Sequence, residues 1–246
     1  MGQPLEGVVA SRGEGLSAVL FDWGGTLSHY LGSAPRECLD LAAREIFPCS
    51  VSTRFADSLA LLIENSWRAG STAADTFETL TADALRAIVS RVDASTLGPR
   101  FVRRFLSLLA AKVRHDEAAV DVLTRLENAK LQRAMVCNTI WPAGWHDQLL
   151  RRDGLLDLLP IRSYSSHTHL RKPHPEAFLS MVRRLGLDAS SCIFVGDRGD
   201  EDIAGAAALG MGTVWVRNSY SPPHQYTPDY IIDSLHELTS RTDRRT

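Results

Sequence analysis

Two groups of acidic residues and one lysine are the side chains of this chain best suited to chemistry. Asp22 ends the apolar run AVLF and is followed at once by Gly24, Gly25 and Thr26, while Asp197, Asp200, Glu201 and Asp202 follow a second apolar run, CIFVG. Each run reads as a buried strand, so each acidic group stands at a strand's carboxyl end, where open α/β sheets bind their ligands. Carboxylates brought together there repel unless a cation neutralises them, and an all-oxygen site with room for water and phosphate suits Mg²⁺. Lys172 would add a positive charge, and the glycines would let backbone N–H groups approach a bound phosphate. Asp200 and Glu201 have a plainer reading as acidic residues opening a helix, where the dipole favours them. Asp197, at the strand's end before the turn, has no such reading.

Positioning these residues requires a parallel sheet. From Asp116 onward the pattern alternates: a helix to about Lys130, a strand at 134–138, a helix at 145–150, the strand IRSYS, a helix at 175–185, the strand CIFVG and a helix at 202–209. Short strands at 213–216 and 230–232 and a helical turn at 235–239 complete the series. This βαβ alternation predicts an α/β fold whose parallel strands present Asp22, the run Cys137-Asn138-Thr139, Lys172 and Asp197 along one edge. Between Pro35 and Val113 no strand pattern occurs. Four segments there have helical apolar spacing, with breakers at Pro48, Gly70 and Gly98-Pro99, and they predict a small helical bundle inserted after the first strand. The expected organisation is a mobile tail at 1–15, a core at 16–30 and 115–246, and a helical insertion at 31–114.

Composition narrows the classes of function. In a chain of 246 residues, 27 basic against 29 acidic residues give a net charge of -2, with no basic stripe for nucleic acid or an anionic membrane. No stretch has the length of a membrane span, and the Met-Gly start carries Glu6 where a myristoylation signal wants Ser or Thr. Four cysteines, Cys38, Cys49, Cys137 and Cys192, are scattered without a CxxC pair, as free thiols in a cytoplasmic protein would be. A small-molecule substrate is expected.

In order along the chain, VLFDWGGTL, MVCNT, RKPHPEAF and IFVGDRGDEDIAGAAALGM resemble the four motifs of the haloacid dehalogenase superfamily of hydrolases, in the branch with a helical cap inserted after the first motif. The resemblance spans nearly the whole chain and implies a Rossmann-like core, Mg²⁺ as cofactor and an aspartyl-phosphate mechanism. Carried onto this sequence, it makes Asp22 the nucleophile and a metal ligand, the Gly24 carbonyl, Asp197 and Asp202 further metal ligands, and Thr26 a brace for the first loop. Lys172 would hold nucleophile and phosphate together. Cys137, Asn138 and Thr139 would meet the substrate phosphate, Cys137 standing where the family has Ser or Thr and Thr139 being the alternative hydroxyl.

A second departure is Gly24, which stands where phosphatases of the family carry the aspartate that protonates the leaving group and then activates water. Its loss puts a factor of roughly 10² to 10⁴ in rate at stake. Three readings follow: a Mg²⁺-dependent phosphatase of a small phosphorylated metabolite, a hydrolase of carbon–halogen or carbon–phosphorus bonds using the same Asp22, and a non-catalytic binding protein. The remaining polar and aromatic features have two readings each. His167, His169 and His174 are loop histidines or a zinc site, and His29 and Tyr30 are hinge residues or a substitute proton donor. Trp23, Trp141 and Trp145 line the pocket mouth or pack the core. Residues 218–228 are expected as a surface loop, and 241–246 as a solvated tail.

Overall fold

The sheet is built around its first strand. β1 (Ala18–Phe21) is wholly buried and pairs in parallel with β4 (Gln132–Cys137) on one side and β6 (Cys192–Gly196) on the other. β5 (Ile161–Tyr164) extends the sheet beyond β4, while β7 (Gly212–Val216) and β8 (Tyr230–Ile232) extend it beyond β6. The order β5-β4-β1-β6-β7-β8, parallel throughout, is that of a Rossmann-like α/β sheet. This computed structural model describes residues 15–69, 75–88, 94–218 and 226–239, together with Val9. The expected tail at 1–15, the breaker Gly70, most of the loop at 218–228 and the end at 241–246 lie mainly outside the described residues.

Both faces of the three central strands are apolar, so each strand serves two cores. Ala18, Leu20, Ala134, Val136, Cys192 and Phe194 face a cluster closed by Phe178, Met181 and Val182 of helix α8 (Pro175–Leu185). Val19, Phe21, Met135, Cys137, Ile193 and Val195 face the other way. There they meet α5 (Ala119–Asn128) and α6 (Ala143–Arg152). A strand alternating between two dry faces reads as a continuous apolar run, which is why these strands are legible in the sequence.

Four helices fill the insertion: α1 (Ala34–Ile46), α2 (Cys49–Arg68), α3 (Phe77–Ile88) and α4 (Ala94–Ala110). Their buried faces are not a separate core. Phe47, Phe55, Phe77, Phe101 and Phe105 stack on one another, Phe77 and Phe105 pack on Trp141, and Trp141 packs on Trp145 and thence Trp23. The Trp145 indole N–H donates to the Leu106 carbonyl at 3.0 Å, fixing the end of α4 to α6.

Several elements depart from the sequence reading. Residues Ser28–Tyr30 (β2) and Val113–His115 (β3) form an antiparallel ribbon where the chain leaves and re-enters the core. Three residues per strand are too few for a period to register. Gly98 and Pro99 lie inside α4 and do not precede it, since a proline within a helix removes one hydrogen bond and need not end it. The expected helix at 202–209 is a π-helical turn, Gly199–Ile203, running into the short helix α9 (Ala204–Ala207), and Ser165–Thr168 form a further helical turn, α7.

Candidate active site

Asp22, Lys172, Asp197 and Asp202 converge at the carboxyl ends of β1 and β6. Carboxylate oxygens of Asp22, Asp197 and Asp202 lie within 4.8 Å of one another, the one cluster among the described residues with the spacing to hold a metal ion. Lys172 Nζ stands 2.6 Å from Asp22 Oδ1 and 2.7 Å from Asp202 Oδ1, and all four side chains are buried. The sequence places them by local necessity. Gly25 has φ +84°, a conformation that costs a side-chain-bearing residue, and a Cβ there would come within 2.3 Å of Asp197 Oδ2. At the end of β6, a Cβ on Gly196 would strike Asp202 Oδ2 at the same 2.3 Å. Asp202 in turn accepts from the Arg198 N–H at 2.9 Å, holding the π-helical turn against the strand.

Burial pushes the Asp22 carboxyl up from its ordinary range, Asp202 and Asp197 add to the rise, and Lys172 opposes it. Burial also works against the Lys172 charge, but Asp202 and Asp22 outweigh it and the ammonium is held above its ordinary range. A hard dication such as Mg²⁺ among these carboxyl oxygens would oppose the rise at Asp22, since it favours the ionised form of each.

Other residues singled out in the sequence take different places. Asn138 is fully engaged: Nδ2 donates to the Lys172 carbonyl at 2.9 Å and to Glu201 Oε2 at 2.8 Å, and Oδ1 accepts from the Lys172 N–H at 2.8 Å. It lines the cavity, yet its amide positions Lys172 and offers nothing free to a phosphate. Thr139 turns away from the site. Its hydroxyl lies 2.9 Å from His146 Nε2 and accepts from the Trp141 N–H at 2.9 Å, so it is no stand-in hydroxyl for the phosphate. Cys137 is buried, its thiol held protonated by burial and by Asp22, with Sγ 3.6 Å from the Asn138 carbonyl. The Thr26 hydroxyl is buried without a hydrogen-bond partner, and it is Ser28 Oγ, donating to the Trp23 carbonyl at 3.0 Å, that braces the first loop.

Glu201, read in the sequence as a helix-opening residue, belongs to the site: it accepts from Asn138 and lines the cavity. Asp200 does conform, being exposed with Arg198 Nε 3.5 Å away. Asn218, expected only as the start of a surface loop, reaches the site. Its amide donates to the Gly25 carbonyl at 2.7 Å and to Asp197 Oδ2 at 3.1 Å, joining the first loop to the last carboxylate group. His167 and His169 are exposed, and His174 Nδ1 accepts from the Glu176 N–H as the cap of α8. Trp23 is core, set between His115, Trp145 and His146.

The site opens into a cavity of about 550 Å³ whose walls include Asp22, Gly24, His29, Tyr30, Trp67 and Arg198. Gly24 is exposed on this wall, its φ lies outside the left-handed region, and apart from its chain neighbours no residue has an atom within 4 Å of where its Cβ would be. The glycine is therefore not required by the backbone, in contrast to Gly25.

Comparison with known proteins places this geometry. The HAD-hydrolase-like family model matches residues 169–238. Phosphoglycolate phosphatase of Xanthomonas campestris is 30% identical over 228 residues, covering 90% of this chain and 94% of its own. Glyceraldehyde 3-phosphate phosphatase of Methanocaldococcus jannaschii is 26% identical over 91% of this chain and 95% of its own. Among solved structures, a 2-haloacid dehalogenase from Pseudomonas syringae superposes with a TM-score of 0.68 at 21% identity over 91% of this chain and 96% of that one. At that identity the likeness concerns the fold.

Proposed function

The chain belongs to the haloacid dehalogenase-like hydrolases, and on that footing we propose that it is a Mg²⁺-dependent phosphatase of small phosphorylated molecules that works through an aspartyl-phosphate on Asp22. The observation that carries this reading is the buried trio of Asp22, Asp197 and Asp202 with Lys172 between two of them. A displacement at carbon by Asp22 could use one further carboxylate as base for hydrolysing the ester, but it develops no phosphoryl charge that calls for a dication held by three. The relatives that are phosphatases by name support the same choice.

Asp22 is the nucleophile: its oxygen bonds to phosphorus as the bond to the leaving oxygen breaks, and water then cleaves the acyl phosphate to free phosphate. Lys172, anchored through its backbone by Asn138, fixes the orientation of Asp22 and offsets charge gathering on the phosphoryl oxygens. Asp22, Asp197, Asp202 and the Gly24 carbonyl would hold Mg²⁺, which when bound stabilises phosphoryl charge as a Lewis acid. Gly24 supplies no proton to the leaving oxygen and no base to the water. Turnover is therefore slow for poor leaving groups and faster for those that depart as stable anions.

The test is Asp22→Asn, which keeps the shape but removes the nucleophile. Phosphate release from acetyl phosphate and phenyl phosphate with Mg²⁺ should vanish while the circular dichroism spectrum stays native; undiminished release would remove Asp22 from the mechanism. The reading as a carbon–halogen or carbon–phosphorus hydrolase rests on Gly24, and halide release from haloacids without Mg²⁺ would favour it.

A further inference from the structure

Trp67 stands in the last turn of α2 and forms part of the same cavity wall as Asp22, with 39% of its surface exposed. Exposure of so large an apolar side chain inside a cavity that also holds a nucleophile calls for a purpose, and its setting is built. Arg171, the residue before Lys172, is buried and reaches out of the core to the insertion, where it donates through Nη1 to the Ser66 carbonyl at 2.9 Å and through Nη2 to Ser66 Oγ at 3.2 Å. Its guanidinium carbon lies 4.8 Å from the centre of the Trp67 ring. The loop that carries the catalytic lysine therefore also fixes the indole. Tyr30 and Pro35 also line the cavity, and Tyr30 is itself held by the Trp141 indole N–H donating to its hydroxyl at 3.1 Å.

We propose that Trp67 is the platform for the substrate's leaving group, and that this group is a flat aromatic one, so that the substrate class is aryl phosphates. The inference rests on the phosphatase reading of Asp22 and gives that reading its substrate. Two independent features agree on it. A rigid indole fixed in the cavity wall favours a planar partner, because stacking gains contact area at little cost in conformational freedom. Gly24, in the same wall, leaves the departing oxygen without an acid, and an aryl oxygen carries its own negative charge far better than an alkyl one.

Binding of two inert analogues tests this apart from catalysis. With Mg²⁺ present, calorimetry should find phenylphosphonate bound about ten-fold more tightly than methylphosphonate by the wild-type protein. Trp67→Ala should abolish that preference, and Trp67→Phe should keep most of it. Equal affinity for the two phosphonates in the wild type, no binding of either, or a preference that survives Trp67→Ala would overturn the platform. If the preference and its loss appear as expected while phenyl phosphate is not hydrolysed, the platform stands and the catalytic reading of Asp22 falls.

Discussion

On the mechanism proposed above, replacing Gly24 by aspartate should supply an acid to the leaving oxygen, and the structure gives the substitution room. Apart from its chain neighbours, no residue has an atom within 4 Å of the Cβ position at Gly24, and its φ is one that any residue adopts. The same change at Gly25 would need a strained φ of +84° and would drive a side chain into Asp197. Removing a glycine at a permissive φ lowers the entropy of the unfolded chain, a gain of about 0.4–1 kcal/mol that offsets part of the repulsion from Asp22 and Asp197. That repulsion also favours the protonated carboxyl, which is the form a general acid needs. A well-placed acid contributes about 10² to 10⁴ in rate, or about 3–5 kcal/mol of barrier, for leaving groups that cannot depart unprotonated. Measured as kcat/KM over a series of aryl and alkyl phosphates with Mg²⁺, the wild type should show a steep dependence on leaving-group acidity. Gly24→Asp should flatten it by raising the alkyl end and scarcely moving the aryl end. The reasoning fails if the wild type cleaves alkyl phosphates as readily as aryl ones. His29, on the same cavity wall, would then be the first residue to examine as proton donor.

Asp197→Ala should weaken Mg²⁺ binding by at least about ten-fold, since a dication held by few protein oxygens loses a charged ligand; unchanged affinity by calorimetry would remove Asp197 from the metal site. A third expectation concerns pH. His146 is fully buried against Thr139 and Trp23, and burial, aided by His115, lowers its pKa to about 3, so the unfolded chain takes up the proton first. Its contribution to stability is therefore complete above about pH 6.5 and is lost as pH falls from there towards 3, amounting to about 2 kcal/mol at pH 5. Urea unfolding at pH 7 and pH 5 should show the wild type losing about that much more than His146→Gln, and equal losses in the two proteins would refute it.

The sheet was legible because its strands are apolar on both sides, so β1, β4 and β6 stand out as runs with an acidic or polar residue at each end. Asp22 and Asp197 were legible for the same reason, each falling just past such a strand, whereas Lys172 and Asp202 lie further along their loops and were legible through the motif resemblance. Directions of side chains were not. Whether Thr139 faces a phosphate or His146 depends on a rotamer, and the sequence spacing is the same in both cases. Glu201 was read as helix-opening because a π-helical turn and an α-helical one share the same start, yet the wider turn goes with a Glu201 side chain that reaches Asn138. Asn218 and Trp67 carried no motif at all. Their roles come from residues far away in sequence, Asp197 and Gly25 for one and Arg171 for the other.

The position of β1 in the sheet also dictates the order in which the molecule can assemble. It is synthesised before both of its neighbours, since Ala18 registers with Gln132 on one side and with Cys192 on the other. At roughly 5–20 residues per second, the ribosome needs on the order of ten seconds or more to supply the second neighbour. The intervening helices make local contacts and can form meanwhile, but their shared face closes only once Trp141 and Trp145 have arrived, so insertion and sheet are both completed late. Until β6 emerges, the AVLF segment and its unpaired backbone edge are open to other chains. The nascent protein's exposure to aggregation is thus concentrated in the strand that leads into Asp22.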